Sequence, residues 1–122
     1  MNYYEKIKNE LINNEVYKKV KDYSKNRSDL NTYYKVGKLL NDAGKSYGEG
    51  IIKKYSMRLE IDLGKKYNER TLRRFRQFYN LFNTQKWSPL ATTLSWSHYC
   101  ELMAIKNINE MKYYIKIAEN QN

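Results

Sequence analysis

The sequence predicts a single all-α domain, and three observations carry that prediction. Apolar residues recur at three- to five-residue steps along most of the chain, as in helices that bury one stripe. Helix starts and stops recur at intervals, with Asn68, Ser95 and Asn107 as N-cap residues and Gly44 and Gly64 as stops. No stretch shows the strict two-residue alternation of a half-buried strand, and no internal repeat is present. The chain has 122 residues, of which 41% are hydrophobic and 15% aromatic, so it can bury a modest core without staples.

The first helix is predicted from Tyr3 to Tyr23, within a long N-terminal segment of residues 1–25. Its stripe is read as Tyr4, Ile7, Leu11, Val16, Val20 and Tyr23. Asn26, Arg27 and Ser28 mark a break, and Ser28 or Asp29 can cap a second helix over Leu30 to Asn41. Gly37 lies inside that helix at a cost of about 1 kcal/mol against Ala, which points to the close approach of another helix. Ser46 and Glu49 have capping-box spacing for a third helix, about residues 48–63, with Ile51, Ile52, Tyr55, Leu59 and Leu63 on one face. Gly64 ends it, Lys65 to Tyr67 make a turn, and Asn68 caps a fourth helix over about 69–82. Helix, short glycine-containing turn, helix is the order of a helix-turn-helix unit.

The formal net charge is +10. It favours an anionic partner, with nucleic acid ahead of an acidic protein or a membrane surface. Much of the excess is concentrated. Between Lys65 and Lys86 seven basic residues face one acid, Glu69, and four of the six arginines lie there. On a wheel of about 100° per residue, Leu72, Phe75, Phe78, Tyr79 and Phe82 share one arc of the fourth helix. Arg70, Arg73, Arg74, Gln77 and Asn80 share the opposite arc, with Arg76 at its edge. Arginines and amides are the side chains that contact phosphates and read guanine or adenine edges. The expected nucleic-acid-binding residues are therefore Lys65, Lys66, Arg70, Arg73, Arg74, Arg76, Gln77 and Asn80, with the two lysines on phosphates. A basic face that is only solvated is the competing reading.

Further on, Ser88 and Pro89 suit a helix start. Ser95 is read as the N-cap of a helix burying Trp96, Tyr99, Leu102, Met103 and Ile105, with Leu94 stapled onto Tyr99. Asn107 and Glu110 open a last amphipathic helix carrying Ile108, Met111, Ile115 and Ala118. No catalytic set, metal site or cofactor motif emerges. His98, the one histidine, is read as packed or capping, and Cys100 as a small buried side chain. Glu110-Met-Lys112 matches a short nuclease fragment, but on a predicted helix and without a second carboxylate. With one cysteine, no membrane-spanning run and no signal-peptide core, the expected location is cytoplasmic.

Five elements together resemble a known family. They are Tyr34…Gly37-Lys38, Tyr47-Gly48, Leu72-Arg-Arg-Phe-Arg76-Gln-Phe-Tyr79, Leu94-Ser-Trp-Ser-His-Tyr99 and Tyr113-Tyr114. The chain is similar over residues 28–120 to the N-terminal domain of YhcG-type PD-(D/E)xK nucleases. The resemblance implies an α-helical domain that binds DNA through the Gly64–Phe82 unit; it does not imply catalysis, which in that family belongs to the nuclease domain, and the chain is expected not to be an enzyme. Two departures stand out. The chain stops about where such domains continue into one more helix, as expected of either a trimmed longer protein or a free-standing short form. Asn68 replaces the usual serine cap. The expected role is a duplex-DNA-binding module. The alternative is a phage-type inhibitor or adaptor whose basic face docks on a nucleic-acid-processing defence complex. A homodimer is compatible with either.

Overall fold

The computed structural model describes residues 2–20, 25–83 and 95–104. Five α-helices lie among them: α1 (Tyr3–Val20), α2 (Lys25–Tyr47), α3 (Gly50–Asp62), α4 (Glu69–Phe82) and α5 (Trp96–Met103), with a 3-10 turn at Lys65–Tyr67 before α4. No strand occurs among the described residues, and the all-α class stands. The expected segments around Ser88 and Asn107, Leu94 and the Glu110-Met-Lys112 fragment lie outside these residues.

Helix α2 is the spine. It packs most extensively against α4 and then against α1. Gly37 makes the α2–α4 approach possible, because a Cβ there would sit 2.1 Å from the Phe75 carbonyl oxygen and 2.9 Å from the Tyr79 Cβ. The expectation of close approach at Gly37 holds, and Phe75 is the backbone that arrives.

Two apolar clusters fill the interior. One joins Tyr4, Ile7 and Leu11 of α1 to Val36 and Leu40 of α2, Ile52 and Leu59 of α3, and Leu72 and Phe75 of α4. The other joins Leu30, Phe78, Phe82, Tyr99 and Met103. Half-buried Trp96 borders both. Its ring centroid lies 5.4 Å from Phe75, 5.3 Å from Phe78 and 4.9 Å from Tyr33. Tyr33 in turn stacks on Phe75 at 4.3 Å. Such pairs add roughly 0.5–1.5 kcal/mol each beyond the area they bury.

Four local expectations are corrected. The α1 stripe is Tyr4, Ile7, Leu11 and Asn14, while Val16 is 56% exposed. Asn14 is buried because Ser28 Oγ donates to its carbonyl oxygen and its Nδ2 donates to Asp29 Oδ1 at 2.9 Å. Second, Ser28 and Asp29 are not an N-cap but lie inside α2, which begins at Lys25, and their side chains turn to Asn14. Third, Gly44 does not end α2. Val36, Leu40 and Ala43 bury one face through that region, and this burial outweighs the roughly 1 kcal/mol propensity cost of an interior glycine. The stop is Gly48, whose φ of 88° suits glycine. Fourth, Ser46 and Glu49 form no capping box. Glu49 precedes α3 without a side-chain cap bond, and its carboxylate turns to α4 instead.

Candidate nucleic-acid interface

The start of α4 is held from two sides. Gly64, at φ 127°, reverses the chain after α3. Asn68 then caps α4 as expected, its Oδ1 accepting from the Thr71 N–H at 3.0 Å. The intervening turn is pinned to α1 through Glu15, which accepts from Lys66 Nζ at 2.8 Å and from the buried Tyr67 hydroxyl at 3.3 Å. The Lys66 hydrogen bond chiefly holds the Glu15 carboxyl below its ordinary range, with Lys18 assisting. Burial, then the Glu15 charge, pushes the Tyr67 hydroxyl up.

The two-faced character of α4 agrees with the wheel. Leu72, Phe75, Phe78 and Phe82 are buried, and Tyr79 is half-buried. On the other side Arg70, Gln77 and Asn80 are exposed, while Arg73, Arg74 and Arg76 are partly covered. What covers them was not apparent from the sequence. Arg73 Nε donates to Glu69 Oε2 at 2.8 Å, one helical turn back, and Arg73 Nη2 forms an ion pair with the same oxygen at 2.8 Å. Arg76 pairs with Glu49, and Arg73 Nη1 lies 3.8 Å from the same carboxylate oxygen. The Arg76 hydrogen bond holds the Glu49 carboxyl below its ordinary range.

Helix α5 engages the same face. Arg74 Nη1 donates to the Cys100 carbonyl at 3.2 Å and Gln77 Nε2 to the Met103 carbonyl at 3.1 Å. These carbonyls belong to the last turn of α5, where backbone oxygens lack helical donors and a cation is favoured. Arg74 and Gln77, expected as readers of bases, thus dock α5. An open groove of about 450 Å³ runs between the two helices, lined by Arg70, Arg73, Arg74, Gln77, Met103 and Ala104. Half-buried Cys100 lies beside it, its thiol pushed up by burial.

Of the eight expected site residues, Lys65, Arg70 and Asn80 are exposed without an ion pair or hydrogen bond among the described residues. Lys66, Arg73, Arg74, Arg76 and Gln77 each hold a protein partner. The residue that sequence reasoning missed at this face is Glu49. It lies 27 positions before Arg76, so no local spacing rule links them. His98 is the capping imidazole of α5: its Nδ1 accepts from the Ser95 N–H at 3.2 Å, while Ser95 Oγ accepts from the His98 N–H. Among the described residues, no three His, Cys, Asp or Glu side chains gather as a metal-holding group, and no helix is long and apolar enough to cross a membrane.

The fold and this face define an all-α domain in which α4 presents an arginine-rich surface. The chain belongs to the family of DUF1016 N-terminal domains, whose model matches residues 6–122. The match begins inside α1 and takes in residues 28–120, the stretch similar to YhcG-type proteins. Comparison with curated proteins and with solved structures returned no match.

Proposed function

We propose that this chain is a non-catalytic, cytoplasmic module that binds duplex DNA, with α3, the turn and α4 acting as a helix-turn-helix and α4 entering the major groove. The observation that carries this reading is the outward face of α4. Its four arginines stand on a helix whose opposite side is anchored by Phe75 and Phe78 and whose first turn is capped by Asn68. Arg70 and Lys65 are exposed for immediate contact with phosphates or base edges. Arg73 and Arg76 hold carboxylates at the surface, and exposed ion pairs of that kind are weak and screened by salt. A phosphate can take the place of either carboxylate. Arg74 and Gln77 keep α5 in position and shape one wall of the groove.

Retardation of a duplex probe at several salt concentrations tests the proposal, and absence of binding at low salt would refute it. The slope separates two modes. If only Lys65 and Arg70 meet phosphates, the log–log slope is about −2. If Lys66, Arg73, Arg74 and Arg76 exchange partners as well, it approaches about −5. Arg70→Ala is expected to weaken duplex binding by about 1–3 kcal/mol if that side chain reads a base.

A second reading, an adaptor that docks on a protein, is favoured by one observation. Met57 and Ile61, one turn apart on α3, are 60% and 85% exposed. A partner retained in a pull-down after nuclease treatment would support it.

A further inference from the structure

A second groove, remote in sequence from the α4 arginines, has an aromatic and cationic lining. It lies where the start of α1 meets the end of α2 and the first turns of α3. About 400 Å³ in volume, it is lined by Tyr3, Tyr4, Tyr47, Lys54, Tyr55 and Arg58 among others. Its floor is built rather than loose. Tyr4 is buried, donates to Asp62 Oδ2 at 2.6 Å and lies 5.5 Å from the Tyr55 ring. Arg58 places its guanidinium 3.7 Å above the Tyr4 ring centroid, near Asp62, and has no bidentate carboxylate partner among the described residues. Asp62 is occupied by Tyr4 and by Lys8 at 3.4 Å. Tyr47 stands edge-on to Tyr3 at 6.3 Å and is 61% exposed.

We infer that this groove takes an unpaired nucleotide, with its base stacked on Tyr47 and its phosphate held by Lys54 and Arg58. An exposed, pre-oriented aromatic beside two cations is the arrangement that binds single-stranded nucleic acid without sequence readout. Nothing in the α4 reading requires it: duplex binding draws on the α4 face, whereas this groove draws on α1, α2 and α3. Tyr47 lies two residues before Glu49, the partner of Arg76.

The test uses a fluorescent decathymidylate, thymidine monophosphate and a blunt duplex, each titrated against the full chain and against Tyr47→Ala, Tyr47→Trp and Lys54→Ala. Tyr47→Ala is expected to weaken single-strand binding about fivefold or more, the lower end of what one base–aromatic stack contributes. Tyr47→Trp should restore it, Lys54→Ala should weaken it and lower its salt slope, and duplex affinity should be unchanged. Binding of the decanucleotide alone assigns the groove to a strand. Equal occupancy by the monophosphate, with the same dependence on Tyr47, assigns it to a free nucleotide. Unaltered single-strand affinity in Tyr47→Ala overturns the inference, as does an equal loss for the duplex. Loss of duplex binding in Arg70→Ala with single-strand binding intact separates the two sites, and the melting curve of each variant reports folding.

Discussion

The two faces of α4 are made from neighbouring residues and follow opposite rules. On the inner face Phe75 and Phe78 are enclosed by Tyr33, Trp96, Tyr99 and the backbone of α2 at Gly37. On the outer face the arginines hold several weak partners at once. Arg73 is shared between Glu69 and Glu49, and Arg76 shares Glu49 with it. Packing at native density makes the inner face intolerant of change. High dielectric and salt screening make the outer face exchangeable. A rigid inner face is what allows an exchangeable outer one to be presented in a constant orientation.

The contrast can be broken most severely from the inside. Phe78→Ala empties the centre of the second cluster and is expected to lower stability by about 4 kcal/mol, read from chemical denaturation. Gly37→Ala forces a Cβ against the Phe75 carbonyl oxygen, which is backbone and cannot rotate away. A loss of about 3 kcal/mol is expected, near the top of the overpacking range. Equal stability of Gly37→Ala and the parent would show that α2 and α4 do not meet there.

Arg74→Ala tests the border between the two faces. It removes the donor to the Cys100 carbonyl and should cost about 1 kcal/mol, with lost amide protection concentrated in α5. If the chain lost duplex binding without any loss of stability, Arg74 would be a pure contact residue.

Acid titration should act on the polar attachments and spare the aromatic interior. The carboxyls of Glu15 and Glu49 titrate below their ordinary value of 4.5 in the folded chain. Their contribution is therefore present above that pH and is lost as the pH falls through it towards the folded values. The denaturation midpoint should decline below pH 4.5, and Glu15→Gln should flatten that decline. The mildest change is Glu49→Gln, which removes the carboxylate that pairs with Arg76 and the more distant of the two that flank Arg73, leaving Glu69 on Arg73. On the DNA-binding reading it tightens duplex affinity and steepens the salt slope; unchanged binding would indicate that neither arginine reaches phosphate.

Much of the architecture was legible because it depends on local rules. Asn68 and Ser95 cap their helices through side chains that reach N–H groups three residues on, and such bonds need no tertiary information. Gly37 was legible because an interior glycine in a helix has few explanations. The errors arose where a distant residue changed the local preference. Val16 was expected on the buried stripe of α1, but Asn14 takes that side because Ser28 and Asp29 satisfy its amide. Ser46 and Glu49 looked like a capping box until Arg76 claimed the glutamate. Gly44 looked like a stop until burial of Leu40 and Ala43 carried the helix through.

By itself, then, the sequence determined that the chain is helical, where α4 begins and which residues lie on each of its faces, because those properties follow from spacing along one helix. Only the tertiary structure decided how much of the basic face is available. It brought Glu49 across from the α2–α3 corner and set the end of α5 against Arg74 and Gln77, so that charges clustered in the sequence are partly balanced in space. The physical reason is reach. Periodicity reports neighbours three and four residues away, whereas the electrostatics of a surface are set by whatever the fold places within a few ångströms.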